Sequence, residues 1–147
     1  MTIDKQSSEG AEGSPIVFRL DPASGVPTYL QLVQQVEHAL RLGYLEVGDR
    51  LPKVKEVVAD LAINPNTVLK AYRDLERKGL AVGRPGQGTF IAATLGDRPR
   101  DHGALLNGLV AWMESAENAG LDADGMVALF TSALHEFRTQ GSGAGAR

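Results

Sequence analysis

Apolar residues recur every three to four positions in five stretches of the chain, which is the period of an amphipathic α-helix. The predicted helices cover residues 28–42, 53–61, 65–78, 102–118 and 123–138. Thr28 is expected to cap the first helix, and Gly79 to end the third. Only two residues separate the second helix from Asn64, a strong N-cap type followed by proline. The second and third helices must therefore turn sharply against each other.

Two short apolar segments follow the third helix and predict a β-hairpin. They read LAVGR (residues 80–84) and TFIAA (residues 89–93), and the intervening PGQG has the composition of a tight turn. Three helices with a tight turn between the last two, followed by a hairpin, are the elements of a winged helix-turn-helix. The predicted fold class is mainly α with a small β-hairpin, in which this domain is followed by a C-terminal two-helix hairpin.

Changes in composition divide the chain into four regions. A Ser-, Gly- and Glu-rich start predicts a disordered tail over residues 1–15. The winged helix-turn-helix domain is expected over residues 16–95, with IVFRL at residues 16–20 extended. A polar GDRPRD linker opens a helical region over residues 96–140, and a Gly/Ala-rich flexible tail over residues 141–147 ends the chain.

Composition narrows the class of protein. The 147 residues are 43% hydrophobic and include no cysteine, which suits a reducing interior and excludes a thiolate metal site. We find no signal peptide and no apolar run of the ~18–20 residues that a membrane span needs, so we expect a cytoplasmic protein with no membrane partner. No nucleophile–base pair, metal-ligand spacing or dinucleotide fingerprint occurs. The expectation is therefore no enzyme activity, no catalytic residues, no metal and no cofactor.

The distribution of charge favours a nucleic-acid partner, although the net charge is −3. Residues 50–84 hold eight Lys and Arg against four Asp and Glu, whereas both ends of the chain are acidic. Nucleic-acid binding depends on where positive charge is concentrated, not on its total. The third helix fits the ~12 Å major groove of DNA, where Asn66 and Thr67 in its first turn would reach base edges.

Each of these features also has a plain structural explanation. Lys70 and Arg73 lie away from the apolar stripe of the third helix, as a solvated face would. Asn64 is explained by capping, and the glycines of PGQG by a tight hairpin turn. Both interpretations stay open for each feature alone. The tight turn, the polar first turn and the glycine hairpin, occurring in that order, favour DNA binding.

Three segments resemble the DNA-binding domain of the GntR family of bacterial transcription regulators. They are GDRLP (residues 48–52), NTVLKAYRDLERKGL (66–80) and GQGTFI (86–91). NPNTV, together with a short C-terminal region, resembles the YtrA-type subfamily. The resemblance implies a homodimer that binds an inverted-repeat operator in double-stranded DNA. It favours a repressor, since a dimer on an operator blocks polymerase, and implies a transporter operon and the protein's own gene as targets.

The resemblance also implies which residues contact DNA. Lys53 and Lys55 stand where relatives commonly carry Ser or Ala and then Arg, so phosphate contacts are favoured over bidentate base recognition. Asn66 would bond adenine, while Arg84 and Gln87 of the hairpin would enter the minor groove or grip phosphate. The implied DNA-binding residues are Lys53, Lys55, Asn64, Asn66, Thr67, Lys70, Arg73, Arg84, Gly86, Gln87 and Gly88.

The last two predicted helices are too short to enclose a small-molecule pocket, so the sequence identifies no effector. Their apolar faces predict a twofold interface with a second copy of the chain, and packing wholly within one chain is the alternative. The expected dimerisation residues are Leu105, Leu109, Met113, Val127, Phe130, Leu134 and Phe137. A rival hypothesis for the whole chain is a winged-helix protein-interaction module without DNA binding, which its acidic remainder supports.

Overall fold

The computed structural model describes residues 13–145, with side chains described as far as residue 141. The disordered tail predicted over residues 1–15 thus lies almost wholly outside the described residues. After a 3₁₀ turn at Pro22–Ser24, the elements are α1 Thr28–Arg41, α2 Val54–Leu61, α3 Pro65–Arg77, β1 Ala81–Arg84, β2 Gly88–Ile91, α4 His102–Asn118 and α5 Ala123–Gly145. The predicted mainly helical fold, a winged helix-turn-helix followed by two C-terminal helices, is confirmed. The chain forms two compact units, which meet in sequence between Pro99 and Arg100.

The core of the first unit forms where α1 and α3 pack against each other, with α2 and β1 beside α3. The apolar stripe predicted for α3 is buried throughout: Val68, Ala71, Tyr72 and Leu75. The buried residues of α1 are Leu32, Val33, Val36, Ala39 and Leu40. Burying one large aliphatic side chain stabilises a fold by about 1.5–3 kcal/mol. The buried residues of α1 and α3 therefore fix α3 against the rest of the first unit and leave the opposite face of α3 on the outside.

Two glutamines of α1 hold the extended segment that precedes the helix. The Gln35 amide accepts from the Arg19 N–H at 2.9 Å and donates to the Arg19 carbonyl at 2.6 Å. Gln31 brackets Asp21 in the same way, at 2.8 and 3.1 Å. Phe18, directly before Arg19, enters the core and is 6% exposed. The extended course predicted for residues 16–20 is thus satisfied by helix side chains and not by a sheet.

The start of α1 differs from the predicted Thr28 cap. Thr28 is the first helical residue, and Pro27 is the N-cap, with no side-chain capping bond. The Pro27 carbonyl accepts from the N–H groups of Leu30 and Gln31, both at 3.0 Å. The predicted cap is wrong because the fixed φ of proline already gives the main chain its helix-entry geometry, which places the first helical turn at Thr28.

The connection between α2 and α3 is as tight as predicted. Ala62 ends α2 in the left-handed conformation, with φ 54° and ψ 47°. Asn64 then caps α3, its Oδ1 accepting from the Asn66 N–H at 2.8 Å. Farther along α3, the Tyr72 hydroxyl donates to the Pro52 carbonyl at 2.5 Å, and burial raises the pKa of this hydroxyl. It therefore stays a donor and ties α3 to the residues just before α2.

The hairpin of residues 81–91, here called the wing, is an antiparallel pair in which Arg84 lies opposite Gly88. Its turn is closed by the Gln87 N–H, which donates to the Arg84 carbonyl at 2.9 Å. Pro85 and Gly86 occupy the two corners, and Gly86 has φ 73°. That is the positive φ which the second corner of a type II turn requires, so a glycine is needed there.

Residues 48–51 run beside β2 and fasten the wing to the start of α2. In the structure, the Leu51 N–H donates to the Thr89 carbonyl and the Gly48 N–H to the Ile91 carbonyl, both at 2.9 Å. Arg50 lies in a β-bridge with a residue of β2. A third short extended segment therefore supports the two-stranded wing.

The second unit consists of α4 and α5, joined by a short turn. The Leu121 N–H bonds back to the Ala116 carbonyl of α4 at 2.9 Å, and Asp122 Oδ1 then accepts from the Gly125 N–H of α5 at 2.8 Å. α5 continues to Gly145, past the predicted end at residue 138 and into the predicted flexible tail. Glycine and serine there are weak helix formers, but extending an existing helix needs no new nucleus.

Candidate nucleic-acid interface

The first turn of α3 carries the polar groups best placed to reach a base. Asn64 Oδ1 already accepts a hydrogen bond as the N-cap of the helix, which explains the presence of Asn64 here without any contact to a ligand. Asn66, two positions on, is exposed, and within residues 13–141 its side chain has no hydrogen-bond partner. Thr67 is half-buried beside it. The side chain of Asn66 thus keeps both its donor and its acceptor for an outside partner.

The outer face of α3 carries basic residues of two kinds. Lys70, Arg73 and Arg77 line one shallow hollow together with an acidic residue, Glu76. The Arg77 guanidinium is paired with Asp74, Nη2 to Oδ1 at 2.6 Å. Lys70 and Arg73 form no ion pair in the part of the chain that the structure describes. Two of the three cations therefore keep their charge for an anionic partner.

Lys78, just past the end of α3, belongs to the body of the domain. Its ammonium contacts Glu37 Oε2 of α1 at 2.8 Å and Asp74 Oδ2 at 3.4 Å. The hydrogen bond to Glu37 raises the pKa of Lys78, with both carboxylates adding to the shift. Lys78 therefore joins α1 to α3 and is not part of the unpaired basic surface.

The start of α2 and the wing form a second open hollow. It is lined by Lys53 and residues 83–89. The Lys53 N–H donates to Glu56 Oε1 at 3.0 Å, which caps α2 and leaves the ammonium on an exposed side chain. The hollow brings together the predicted DNA-binding residues Lys53, Arg84, Gly86, Gln87 and Gly88. This concave surface has a backbone turn on one side and a cation on the other, which suits an anionic group.

The Arg84 side chain lies along the wing and not at its tip. Its Cζ atom is 4.5 Å from the centre of the Phe90 ring. Gly88, directly opposite Arg84 in the register, has no side chain, so the guanidinium reaches the diagonal position on β2. Gln87 lies in the turn itself and is exposed. Arg84 and Gln87 thus occupy different parts of the wing, although the family resemblance implied the same two roles for both, entering the minor groove or contacting phosphate.

Two residues that sequence reasoning left outside the site lie within it. The ring of Tyr29, in the first turn of α1, lies 4.1 Å from Lys70 Nζ. Arg50 approaches the wing so closely that a Cβ at Gly88 would lie 3.5 Å from its Cδ. Arg50 lies in the GDRLP motif, and this motif could have identified it from the sequence as part of the site. Tyr29 carried none, because helical periodicity marks an aromatic residue only as apolar.

Comparison with known proteins identifies the domain that holds these residues. Residues 28–91 match the bacterial regulatory proteins of the gntR family. The match begins at the first residue of α1 and ends at the last residue of β2, so it covers all three helices and the wing. The chain carries a GntR-family helix-turn-helix domain. The match is to regulatory proteins, which confirms the prediction that this domain is not an enzyme.

Individual relatives of the GntR domain include a protein of the predicted subfamily. The HTH-type transcriptional repressor YtrA of Bacillus subtilis is 41% identical over 76 residues, 52% of this chain and 58% of that protein. The HTH-type transcriptional regulator Rv1152 of Mycobacterium tuberculosis is 40% identical over 75 residues, 51% of this chain and 62% of that protein. The YtrA-like resemblance is confirmed, and the chain spans less than two thirds of either relative.

A solved structure extends the comparison beyond the GntR domain. The crystal structure of a transcriptional antiterminator from Listeria monocytogenes EGD-e superposes with a TM-score of 0.52 at 27% identity. The aligned part covers 80% of this chain and 90% of that chain. Because the GntR match alone ends at residue 91, this likeness includes part of the C-terminal helices.

Four of the predicted DNA-binding residues line neither of the two hollows just described: Lys55, Asn64, Asn66 and Thr67. Lys55 is exposed on α2 of the GntR domain, and the other three lie at the start of α3. Over residues 13–145, no group of three or more His, Cys, Asp and Glu is arranged to hold a metal ion. Nor does any helix in that range have the length and apolar character needed to cross a membrane.

The residues predicted for dimerisation leave an apolar face open on α4 and α5. Met113 is half-buried. The exposed members, with their exposed fractions, are Leu105 60%, Leu109 38%, Val127 65%, Phe130 51%, Leu134 41% and Phe137 74%. Clustered exposed aromatic and aliphatic residues mark an interaction surface.

Proposed function

We propose that the protein is a sequence-specific DNA-binding transcriptional regulator, acting as a homodimeric repressor on an inverted-repeat operator. The observation that carries the proposal is the unpaired state of the cations beside the first turn of α3. Lys70 and Arg73 on α3, and Lys53 facing the wing, have no carboxylate partner among the described residues. Unneutralised lysine and arginine around a protruding helix are what phosphate contacts require.

In this proposal α3 enters the major groove with its first turn leading. Asn66 would read a base edge, since its amide can pair bidentately with adenine. Lys70 and Arg73 would contact the phosphates that border the groove, and Lys53 would contact a phosphate from the start of α2. In the wing, Gln87 is placed to enter the minor groove, while Arg84, whose Cζ atom is 4.5 Å from the centre of the Phe90 ring, is placed for phosphate.

The proposed dimer is formed by the apolar face of α4 and α5 with a second copy of the chain. The support is the exposure of six of its seven residues. Two copies are required because an inverted repeat presents two half-sites about 34–36 Å apart, and each needs its own recognition helix. An interface between identical copies is self-complementary, so one exposed apolar face per chain is sufficient.

The repressor role and the gene targets rest on resemblance. The B. subtilis relative that is 41% identical over 76 residues is named a transcriptional repressor. By extension, we propose that this protein represses a transporter operon and its own gene, and that it works in the cytoplasm, where that DNA lies. The proposal includes no effector.

Selection of DNA from a random-sequence library by the full chain is the experiment that tests this function. We expect an enriched inverted repeat whose affinity falls steeply with salt, with a slope set by the number of phosphates contacted. Transcription from a promoter that carries this repeat should fall when the protein is added. Absence of salt-dependent binding to any duplex would contradict the proposal and leave the rival, a protein-interaction module.

A further inference from the structure

Lys70 is held by an aromatic ring and not by a carboxylate. Its Nζ atom lies 4.1 Å from the centre of the Tyr29 ring, near the start of α1. Arg77, two turns farther along α3, is instead held by Asp74 at 2.6 Å, and Lys78 by Glu37 at 2.8 Å. The two ways of holding a cation differ in one respect that matters for DNA. A carboxylate neutralises the charge, whereas a ring orders the side chain and leaves the full positive charge in place.

An ordered cation binds phosphate more tightly than a free one. A lysine side chain loses roughly 1.5–2 kcal/mol of rotamer freedom when it is fixed in a complex. Contact with a ring restricts the side chain before DNA arrives, so less freedom remains to be lost on binding. Arg84 shows the same arrangement, with its guanidinium over Phe90 at 4.5 Å. Cations on both sides of the proposed interface thus rest on aromatic faces.

We infer that Tyr29 is a positioning residue for DNA binding, which fixes Lys70 in the direction of the phosphate backbone. The inference rests on the proposed function, since Tyr29 acts only through a cation that contacts DNA. It assigns to α1 a part in recognition beyond its packing role. Tyr29 is half-buried against the core, so its ring is itself held by the body and offers a fixed platform.

A double-mutant cycle between Tyr29 and Lys70 tests the inference. Binding is measured by fluorescence anisotropy with the full chain and a duplex enriched from a random library, over a salt series. Exposed cation–π contacts are worth about 0.5–1 kcal/mol, so Tyr29→Leu should weaken binding about two- to five-fold. It should keep the wild-type salt slope, because the Lys70 charge remains. Lys70→Ala should lower the slope by about one, and adding Tyr29→Leu to it should then change nothing further.

Two further variants separate positioning from packing. Tyr29→Phe keeps the ring and should bind as the wild type does. Leu30→Ala removes a neighbouring side chain that packs on the same core but has no ring to hold the Lys70 ammonium. Its effect on binding should be the same in the presence and in the absence of Lys70. Circular dichroism confirms that each variant is folded.

The wild-type protein supplies a test that does not depend on any variant folding. A lysine ammonium above a ring places the adjacent ε-methylene protons in the ring current, so the NMR signals of Lys70 should be shifted upfield. Unshifted Lys70 signals, or equal effects of Tyr29→Leu with and without Lys70, would overturn the inference while DNA binding by the wild type still stands. If the wild type itself shows no salt-dependent DNA binding, the proposed function fails as well.

Discussion

At the scale of single residues, the nearest carboxylate decides which cations of α3 are available to DNA. Arg73 has no acidic partner in the described part of the chain, whereas Arg77 is paired with Asp74 at 2.6 Å. We expect Arg73→Ala to lower the slope of log affinity against log salt by about one, the value for one lost phosphate contact. Arg77→Ala should leave the slope nearly unchanged, because its charge is already neutralised. Equal slopes in the two variants would contradict this assignment.

Asn64 and Asn66 form a matched pair in which one residue caps and the other is free to read a base. Asn66→Ala should cost about 1–3 kcal/mol on the selected operator and little on random DNA, as a base contact does. Asn64→Ala removes the acceptor of the 2.8 Å capping bond and should instead reduce the free energy of unfolding by about 1 kcal/mol. Equal losses on both DNAs for Asn66→Ala would make it a phosphate or structural residue.

At the scale of elements, the turn between α2 and α3 contains a backbone conformation that its residue type does not favour. Ala62 has φ 54°, a region that costs a non-glycine residue about 1–2 kcal/mol. Ala62→Gly removes this strain but adds freedom to the unfolded chain, which offsets about 0.5–1 kcal/mol of the gain. The net expectation is a rise of about 0.5–1 kcal/mol in the free energy of urea unfolding, with DNA affinity unchanged. A decrease in stability would show that the left-handed conformation is not strained.

Helix positions were readable from the sequence because apolar residues recur at helical spacing, and α1 and α3 bury that stripe. The stripe of α3 and its Asn64 cap fix its position within one residue of the predicted end. The conformation of Ala62 was not readable, since nothing about alanine marks the left-handed region; the two-residue connection imposes it. The β-bridge of Arg50 was also missed, because pairing with β2 depends on the wing being in place and not on local pattern.

The residue types of the candidate site could be predicted from the sequence, but the contacts that each charged side chain makes could not. Basic residues on the outer face of α3 can be found from periodicity. Which of them are neutralised depends on side-chain distances such as the 2.6 Å from Arg77 to Asp74. The ring beneath Lys70 comes from α1, far away in sequence. Contacts between distant segments are a property of the packed domain, so periodicity within α3 contains no information about them.

At the scale of the whole molecule, specific binding to an inverted repeat requires the two recognition helices to act together. Linking two half-site contacts raises affinity by about 10²–10⁴-fold over one contact alone. The linkage is proposed to come from the apolar face of α4 and α5, where Phe130 is 51% exposed. Phe130→Glu would place a charge inside that interface, where burying it unpaired is strongly unfavourable. We expect the Phe130→Glu variant to be folded and to sediment as a monomer. It should lose the gain in affinity that two linked half-site contacts give on the full repeat, and it should keep the wild-type affinity for a single half-site.

The matched control for this change is Ser132→Glu, which adds the same charge to α5 two residues away. Successive helical residues are 100° apart, so Ser132 points away from the face formed by Phe130, Leu134 and Phe137. Ser132→Glu should remain a dimer with full operator affinity. Removing residues 100–147, the second compact unit, should give the same half-site binding as Phe130→Glu. If this fragment, shown by circular dichroism to be folded, still sediments as a dimer and binds the whole repeat unchanged, the interface belongs to α1 or the segment before it. The exposed face of α4 and α5 would then need another partner.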